Sequence, residues 1–423
     1  MRTSNIRRRF GALLLGLVAG IAVGVPTVAE AVPAGTYTVM MSDAEHPFPI
    51  GTILGTRDQA VEKLASAMKA AEAKADTEAK AAAAKVVNAP ASGPALAAGG
   101  SASLASCRAQ FGNGPANVVI DRFNYCHVAR CGYYTVVNGE VTGLTSYRCT
   151  TSGRGSNGNR ETLYEVGFDN FVDTGSTNLA AALQVGFFLS GGRCNQVSHT
   201  PSLRAYWQAG EIADSSVWSN PGSGSDTEDV TRCTVDVRAQ SDIPGWGAIN
   251  TTKIRHDSTP YNANNRHGAI FDGVTTRMVD YSRTSSAHGQ VAEHIYFAQS
   301  QPQDTIPWLT YNGTKSIPGS VYSAKPLTRL APQHNQASTD RYTQNRSMVS
   351  SACAAYFGVW NTDTTQCDEY PFASTYEGAA GANGNYSIRL LDKTQNLSAG
   401  GTLVQFYHSW RIIDGDPFFV DIG

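Results

Sequence analysis

Charge is scarce in this 423-residue chain: only 16% of residues are Asp, Glu, Lys or Arg, and the formal net charge is −2. That balance gives no basic footprint for nucleic acid over the chain as a whole. No GxSxG elbow, HExxH helix or phosphate loop occurs between Cys107 and Ser300, which removes the commonest motif-borne hydrolase and nucleotide chemistries from that stretch. The CxxC spacing of strong zinc motifs is also missing, so Cys126, His127, Cys131 and Cys149 read as disulfide material and not as a zinc site. Apart from one N-terminal run, no segment is apolar enough to cross a bilayer.

That run reads as an export signal. Arg2, Arg7, Arg8 and Arg9 precede apolar residues 10–25, and Ala29-Glu30-Ala31 offers a small-x-small cleavage site. All eight cysteines lie downstream, an even number in a chain expected outside the cell. Cys194 with Cys233 and Cys353 with Cys367 are the expected bridges. The second closes a loop of about 15 residues, worth roughly 3 kcal/mol in the chain-entropy model.

Texture divides the rest. An Ala/Lys/Glu tract over 56–87 opens on a Thr56/Gln59 capping box and reads as a helix with little to bury, a stalk or pro-segment. Residues 88–106 are small and uncharged, a linker. From Cys107 to about Ser300 the period becomes two: Tyr164, Val166 and Phe168 alternate with Leu163, Glu165 and Gly167, and Cys233, Val235 and Val237 do likewise. Asn138-Gly139 between two such runs predicts a type I′ hairpin. From about Ile306 the pieces are mixed. Ser338 or Thr339 can cap a short helix with Tyr342 and Met348, and Leu403, Phe406, Tyr407 and Trp410 mark an amphipathic helix ended by Asp414-Gly415-Asp416-Pro417. The expected class is α+β. Its divisions are a signal at 1–31, an Ala-rich helix and linker at 32–106, a disulfide-containing β-sandwich-like domain at 107–305 and a small α+β domain at 306–423.

The chemistry concentrates in the last of these. Asp368 and Glu369 stand next to each other, and Glu377 follows within an aromatic, otherwise uncharged stretch, where acids are expected to be paired, hydrogen-bonded or metal-bound. The series Pro326-Leu327-Thr328-Arg329, Asn345-Arg346, Cys353, then Cys367-Asp368-Glu369-Tyr370-Pro371-Phe372-Ala373-Ser374, Tyr376-Glu377-Gly378, Asn396 to Gly401 and Asp414-Gly415-Asp416-Pro417-Phe418 resembles the NucA/NucB family of secreted bacterial deoxyribonucleases over roughly residues 325–423. Ala379-Ala380 and Leu397 depart from the family pattern on the substrate-side loop.

The resemblance implies a histidine-free relative of the ββα-metal nucleases. Asp368 would be the general base and Glu369 its support or a metal contact through water. Glu377 and Asn396 would serve a divalent metal, Mg2+ or Mn2+, with Arg329 and Arg346 on the DNA phosphates. The implied activity is secreted, metal-dependent hydrolysis of DNA with little sequence specificity, without membrane attachment beyond export and without an obligate protein partner. The rival readings are an extracellular binding protein with an inactive nuclease-like module, and a glycoside hydrolase using the paired acids. From Ile306 on, eight Lys and Arg face nine Asp and Glu, so phosphate would have to be attracted locally. Glu369 could instead pair with Arg346 or Arg389, Asp414 and Asp416 read as turn and cap residues, and the scattered histidines, His294 among them, read as surface or hydrogen-bonded.

Overall fold

The computed structural model describes residues 35–40, 50–56, 58–60, 62–63, 66 and 101–422, except 223–227, 244–245, 263–264 and 309–313. The expected signal, most of the Ala-rich tract and residues 88–100 lie outside the described residues. At the start of the tract the expected capping box is present: Thr56 N–H donates to Gln59 Oε1 at 2.8 Å, and Gln59 N–H donates to Thr56 Oγ1 at 3.3 Å.

The architecture is mixed α and β, with strands dominant. One antiparallel sheet contains β1 (Thr36–Met40), β2 (Ala116–Asp121), β3 (Asn124–Val137), β4 (Glu140–Arg154), β5 (Glu161–Gly175), β7 (Asn195–His199) and β8 (Ala213–Trp218). A second contains β6 (Gln184–Ser190), β9 (Asp229–Gln240), β10 (Gly247–Ser258) and β11 (His267–Phe271). Both feed one core, Tyr164, Val166 and Phe168 from the first sheet meeting Phe187, Val235, Val237 and Ile254 from the second. This is the period-two pattern made physical: alternate side chains on each strand leave water for a shared interior. The β3–β4 turn has Asn138 at φ 51° and Gly139 at φ 86°, the two positive values a type I′ hairpin requires.

Two features modify the expected divisions. Residues 36–40, assigned by composition to the segment before the β-rich region, add a strand in register with β3, Thr36 opposite Val137. The linker ends early, because Ser103 caps helix α1 (Leu104–Phe111). A short helix α2 (Arg204–Gln208) buries Trp207 against the same core. Four disulfides, Cys107–Cys126, Cys131–Cys149, Cys194–Cys233 and Cys353–Cys367, use every cysteine, including both expected pairs.

The second core holds the site. It is built from β12 (Thr276–Met278), α3 (Gly289–Ser300), β13 (Leu327–Thr328), α4 (Gln336–Phe357), β14 (Thr365–Tyr370), β15 (Ser387–Asp392), α5 (Lys393–Ser409) and β16 (Pro417–Val420). Antiparallel β14 and β15 are followed directly by α5, and β12 and β13 flank β16. The boundary drawn at 305/306 from composition runs through this unit. Met278, Tyr281, Val291 and Ile295 pack with Leu327, Tyr370, Phe406 and Phe418, so residues 276–305 belong with the C-terminal elements.

Helix limits also differ from expectation. α4 is 22 residues long and is capped by Asn335, whose side chain accepts from Ser338 N–H, three residues ahead of the expected cap. α5 begins at Lys393 because Asp392 caps it by accepting from Gln395 N–H. The expected stripe Leu403, Phe406 and Tyr407 is buried on its second half, while Asn396 stands on its first turns.

A buried ionic cluster joins the two cores. Asp416 receives Arg122 at 2.8 Å and Arg255 at 2.7 Å, Arg255 also meets Asp257 at 3.1 Å, and Asp257 pairs with Arg411. Asp416 does cap the local turn, accepting from Ile413 N–H. Its larger role is this clamp on two arginines of the β-rich region.

Candidate active site

A cleft of about 500 Å³ opens beside β14 and α5. Its lining includes Asp368, Glu369, Arg329, Arg346, Asn396, Gln366 and Tyr407. The structure thus brings together five of the six site residues expected from sequence. Glu377 is the exception. Its Oε2 accepts from Thr328 N–H at 2.8 Å, and it is not among the cleft-lining residues. There it braces the strand that leads into Arg329.

Strand geometry explains the two acids. On β14, Asp368 lies opposite Arg389 and Glu369 opposite Ile388 of β15, and successive side chains leave opposite faces. Both are nevertheless almost buried, at 7% and 8% exposure: α3 sets His294 against Asp368, and α4 sets Arg346 against Glu369. The Cys353–Cys367 bridge ties α4 to β14 one residue before Asp368.

The electrostatics differ between the pair. Burial pushes the Glu369 carboxyl up to about 7, the neighbouring Asp368 charge adds to the rise, and Arg346 opposes it. Arg346 Nη1 stands 3.3 Å from Glu369 Oε1 while more than half exposed, so the expected pairing of Glu369 with Arg346 is present in an arginine that also reaches solvent.

Arg329 is the other unusual group. It is 7% exposed, its guanidinium lies 3.9 Å from the Tyr407 ring centroid and 5.6 Å from that of Tyr261, and its Nε and Nη1 have no hydrogen-bond acceptor in the protein. Burial lowers its pKa, against the opposing pull of Tyr407, Tyr261, Asp414 and Asp416. A buried cation with unsatisfied donors on a cleft wall is costly unless an anion arrives.

Could a divalent cation sit here? Among the described residues, no group of three or more His, Cys, Asp and Glu side chains is placed to hold a metal by itself. The cleft instead offers two carboxylates and the amide of Asn396, whose Nδ2 donates to Gln366 Oε1 at 3.3 Å and so does not occupy its carbonyl oxygen. An all-oxygen set of this size suits a hard cation that keeps several waters, as Mg2+ does, and does not suit a closed zinc cage.

His294, read from sequence as a surface or hydrogen-bonded histidine, is hydrogen-bonded, and its partner is the cleft acid. His294 of α3 is 2% exposed, with Nδ1 2.6 Å from Asp368 Oδ2 and Nε2 2.7 Å from Ser387 Oγ on β15. A signal existed: Val291, His294, Ile295 and Ala298 fall at i, i+3, i+4 and i+7, which puts the imidazole on the apolar stripe of a helix.

With this geometry in view, the comparisons are brief. Residues 321–421 match the family model described as deoxyribonuclease NucA/NucB, the region of the expected resemblance. Searches of curated proteins and of solved structures found no match. The matched segment contains all six expected site residues but not α3.

Proposed function

We propose that the cleft is the active site of an exported, divalent-metal-dependent endonuclease that hydrolyses DNA with little sequence preference. The observation that carries this reading is the convergence, within a deoxyribonuclease-family segment, of two buried adjacent acids, an amide and an unpartnered buried arginine on one cleft. The four disulfides support a destination outside the reducing cytosol.

Glu369 and Asn396 would hold the cation, with Glu369 acting directly or through water. Glu377, assigned to the metal by resemblance, would shape the Arg329 strand through Thr328. A bound Mg2+ or Mn2+ supplies charge neutralisation at the phosphate and eases loss of a proton from water. The rest is done by the protein. Asp368 takes the proton of the attacking water as its oxygen bonds to phosphorus. The bond from phosphorus to the sugar oxygen breaks, and that oxygen leaves with a proton drawn from solvent. Arg329 donates its free N–H groups to the non-bridging oxygens, and Arg346 draws the flanking backbone from the rim. Recognition through phosphate alone predicts weak sequence preference and strong salt dependence.

The deciding experiment uses the full chain on plasmid and oligonucleotide DNA, with and without EDTA, beside Asp368→Asn. Cleavage that EDTA abolishes and that falls about 10²–10⁴-fold in Asp368→Asn is expected. Absence of cleavage by folded wild-type protein over a range of Mg2+ and Mn2+ would favour a binding protein with an inactive module. Metal-independent glycan cleavage would favour the glycosidase reading.

A further inference from the structure

The acid assigned above to the water has a partner that the family-matched segment does not contain. His294 comes from α3, before residue 321, and reaches Asp368 from behind the cleft wall. It does not line the cleft, so it cannot itself meet DNA or water there. Both ring nitrogens are engaged, Nδ1 with Asp368 Oδ2 and Nε2 with Ser387 Oγ, across one helix and two strands.

The chemistry fixes the direction of the first bond. An ionised carboxylate only accepts, so Nδ1 carries the hydrogen that Asp368 receives. Ser387 can donate to a neutral ring or accept from a charged one, so it holds Nε2 in either state. We infer that His294 is a positioning residue: it pins one oxygen of Asp368 and leaves the other to take the proton of the water. This rests on the reading of Asp368 as the base.

A buried histidine with both nitrogens satisfied is often only core furniture. Here, however, the atom it grips is the cleft carboxylate, and the grip is short. Tyr281, in the segment just before α3, reinforces the arrangement by donating its hydroxyl to Ala399 O on α5 at 2.7 Å while lining the same cleft. Residues 276–300 thus complete the site and do not merely precede it.

The test compares full-length His294→Asn, His294→Gln and His294→Leu by steady-state cleavage of a fluorescent DNA duplex at saturating Mg2+, with melting curves on each. The Asn amide can place an N–H where Nδ1 stands; the Gln amide reaches only the Nε2 position, and Leu donates nothing. Expected is kcat within about 3-fold of wild type for Asn, and a loss of about 10–100-fold for Gln and Leu with KM unchanged, the scale at which removing a supporting partner usually acts. Equal losses in all three, or none, would overturn the assignment. Should Leu fail to fold, Ser387→Ala decides: a several-fold fall in kcat at constant KM supports the chain of contacts, and wild-type kcat rejects it. If Asp368→Asn keeps full activity, the proposed function fails; if Asp368→Asn is dead and the histidine variants are silent, this inference alone fails.

Discussion

Asp416→Asn should unfold the two cores together. The carboxylate is 6% exposed, and each of its oxygens faces a guanidinium: Arg255 Nη1 at 2.7 Å and Arg122 Nη2 at 2.8 Å. Breaking a buried ion pair by removing one partner costs about 3–5 kcal/mol, because a charge is left without its counter-ion. Arg255 keeps Asp257, and Arg122 keeps the carbonyls of Trp410 and Arg411, so the lower end applies. That corresponds to a melting temperature lower by roughly 4–5 °C for a body of this size. Burial alone would raise the Asp416 pKa, but Arg255 and Arg122 outweigh it and hold the group below its ordinary value. A depressed carboxyl contributes stability above its unfolded pKa and loses it as pH falls through the folded value. The gap between wild type and variant should therefore be full at pH 6, begin to narrow below about pH 4, and close as pH falls through the folded value. Calorimetry and near-UV circular dichroism across that range, with exposed Asp340→Asn as control, measure it. A variant melting within 2 °C of wild type at pH 6, or a gap that widens as pH falls below 4, would refute the reasoning.

Two further outcomes follow from the site. Arg329→Met removes the unpartnered guanidinium while keeping bulk between the rings. A charge-assisted bond to phosphate is worth about 1.5–3 kcal/mol, so kcat/KM on DNA should fall roughly 10–150-fold and its salt dependence should flatten; a change under 2-fold would remove Arg329 from the substrate. Opening Cys353–Cys367 with a thiol, or by paired Ser substitution, should lower activity before global unfolding; full activity with the bond shown open by peptide mass spectrometry would count against its role in holding β14.

Local features were the legible ones. The Asn138-Gly139 hairpin, the Thr56/Gln59 cap, the alternation on β5 and β9 and the Cys353–Cys367 bridge all arise from residues close in sequence, while Cys194–Cys233 was anticipated across a separation of 39. Ordered motif blocks marked the acids of the cleft as well. What escaped depends on distance along the chain. His294 and Asp368 are 74 residues apart, and Arg122 and Asp416 are 294 apart, so no window contains either contact. The start of α5 was hidden because its first turns carry Ser, Ala and Gly instead of an apolar stripe, and only the Asp392 cap reveals it. The 305/306 boundary was drawn from a change in composition, which marks a change of texture, whereas a core is defined by what packs, and α3 packs with the residues after it.

The Cys353–Cys367 bond also bears on when this chain can act. While it is being made in a reducing compartment, nothing covalent holds the strand of Asp368 to α4. Such a bond forms in oxidising surroundings, and it then ties the strand of the acidic pair to α4. If the chain is exported as proposed, one sulfur–sulfur bond completes the setting of the acidic pair, and it does so outside the reducing compartment.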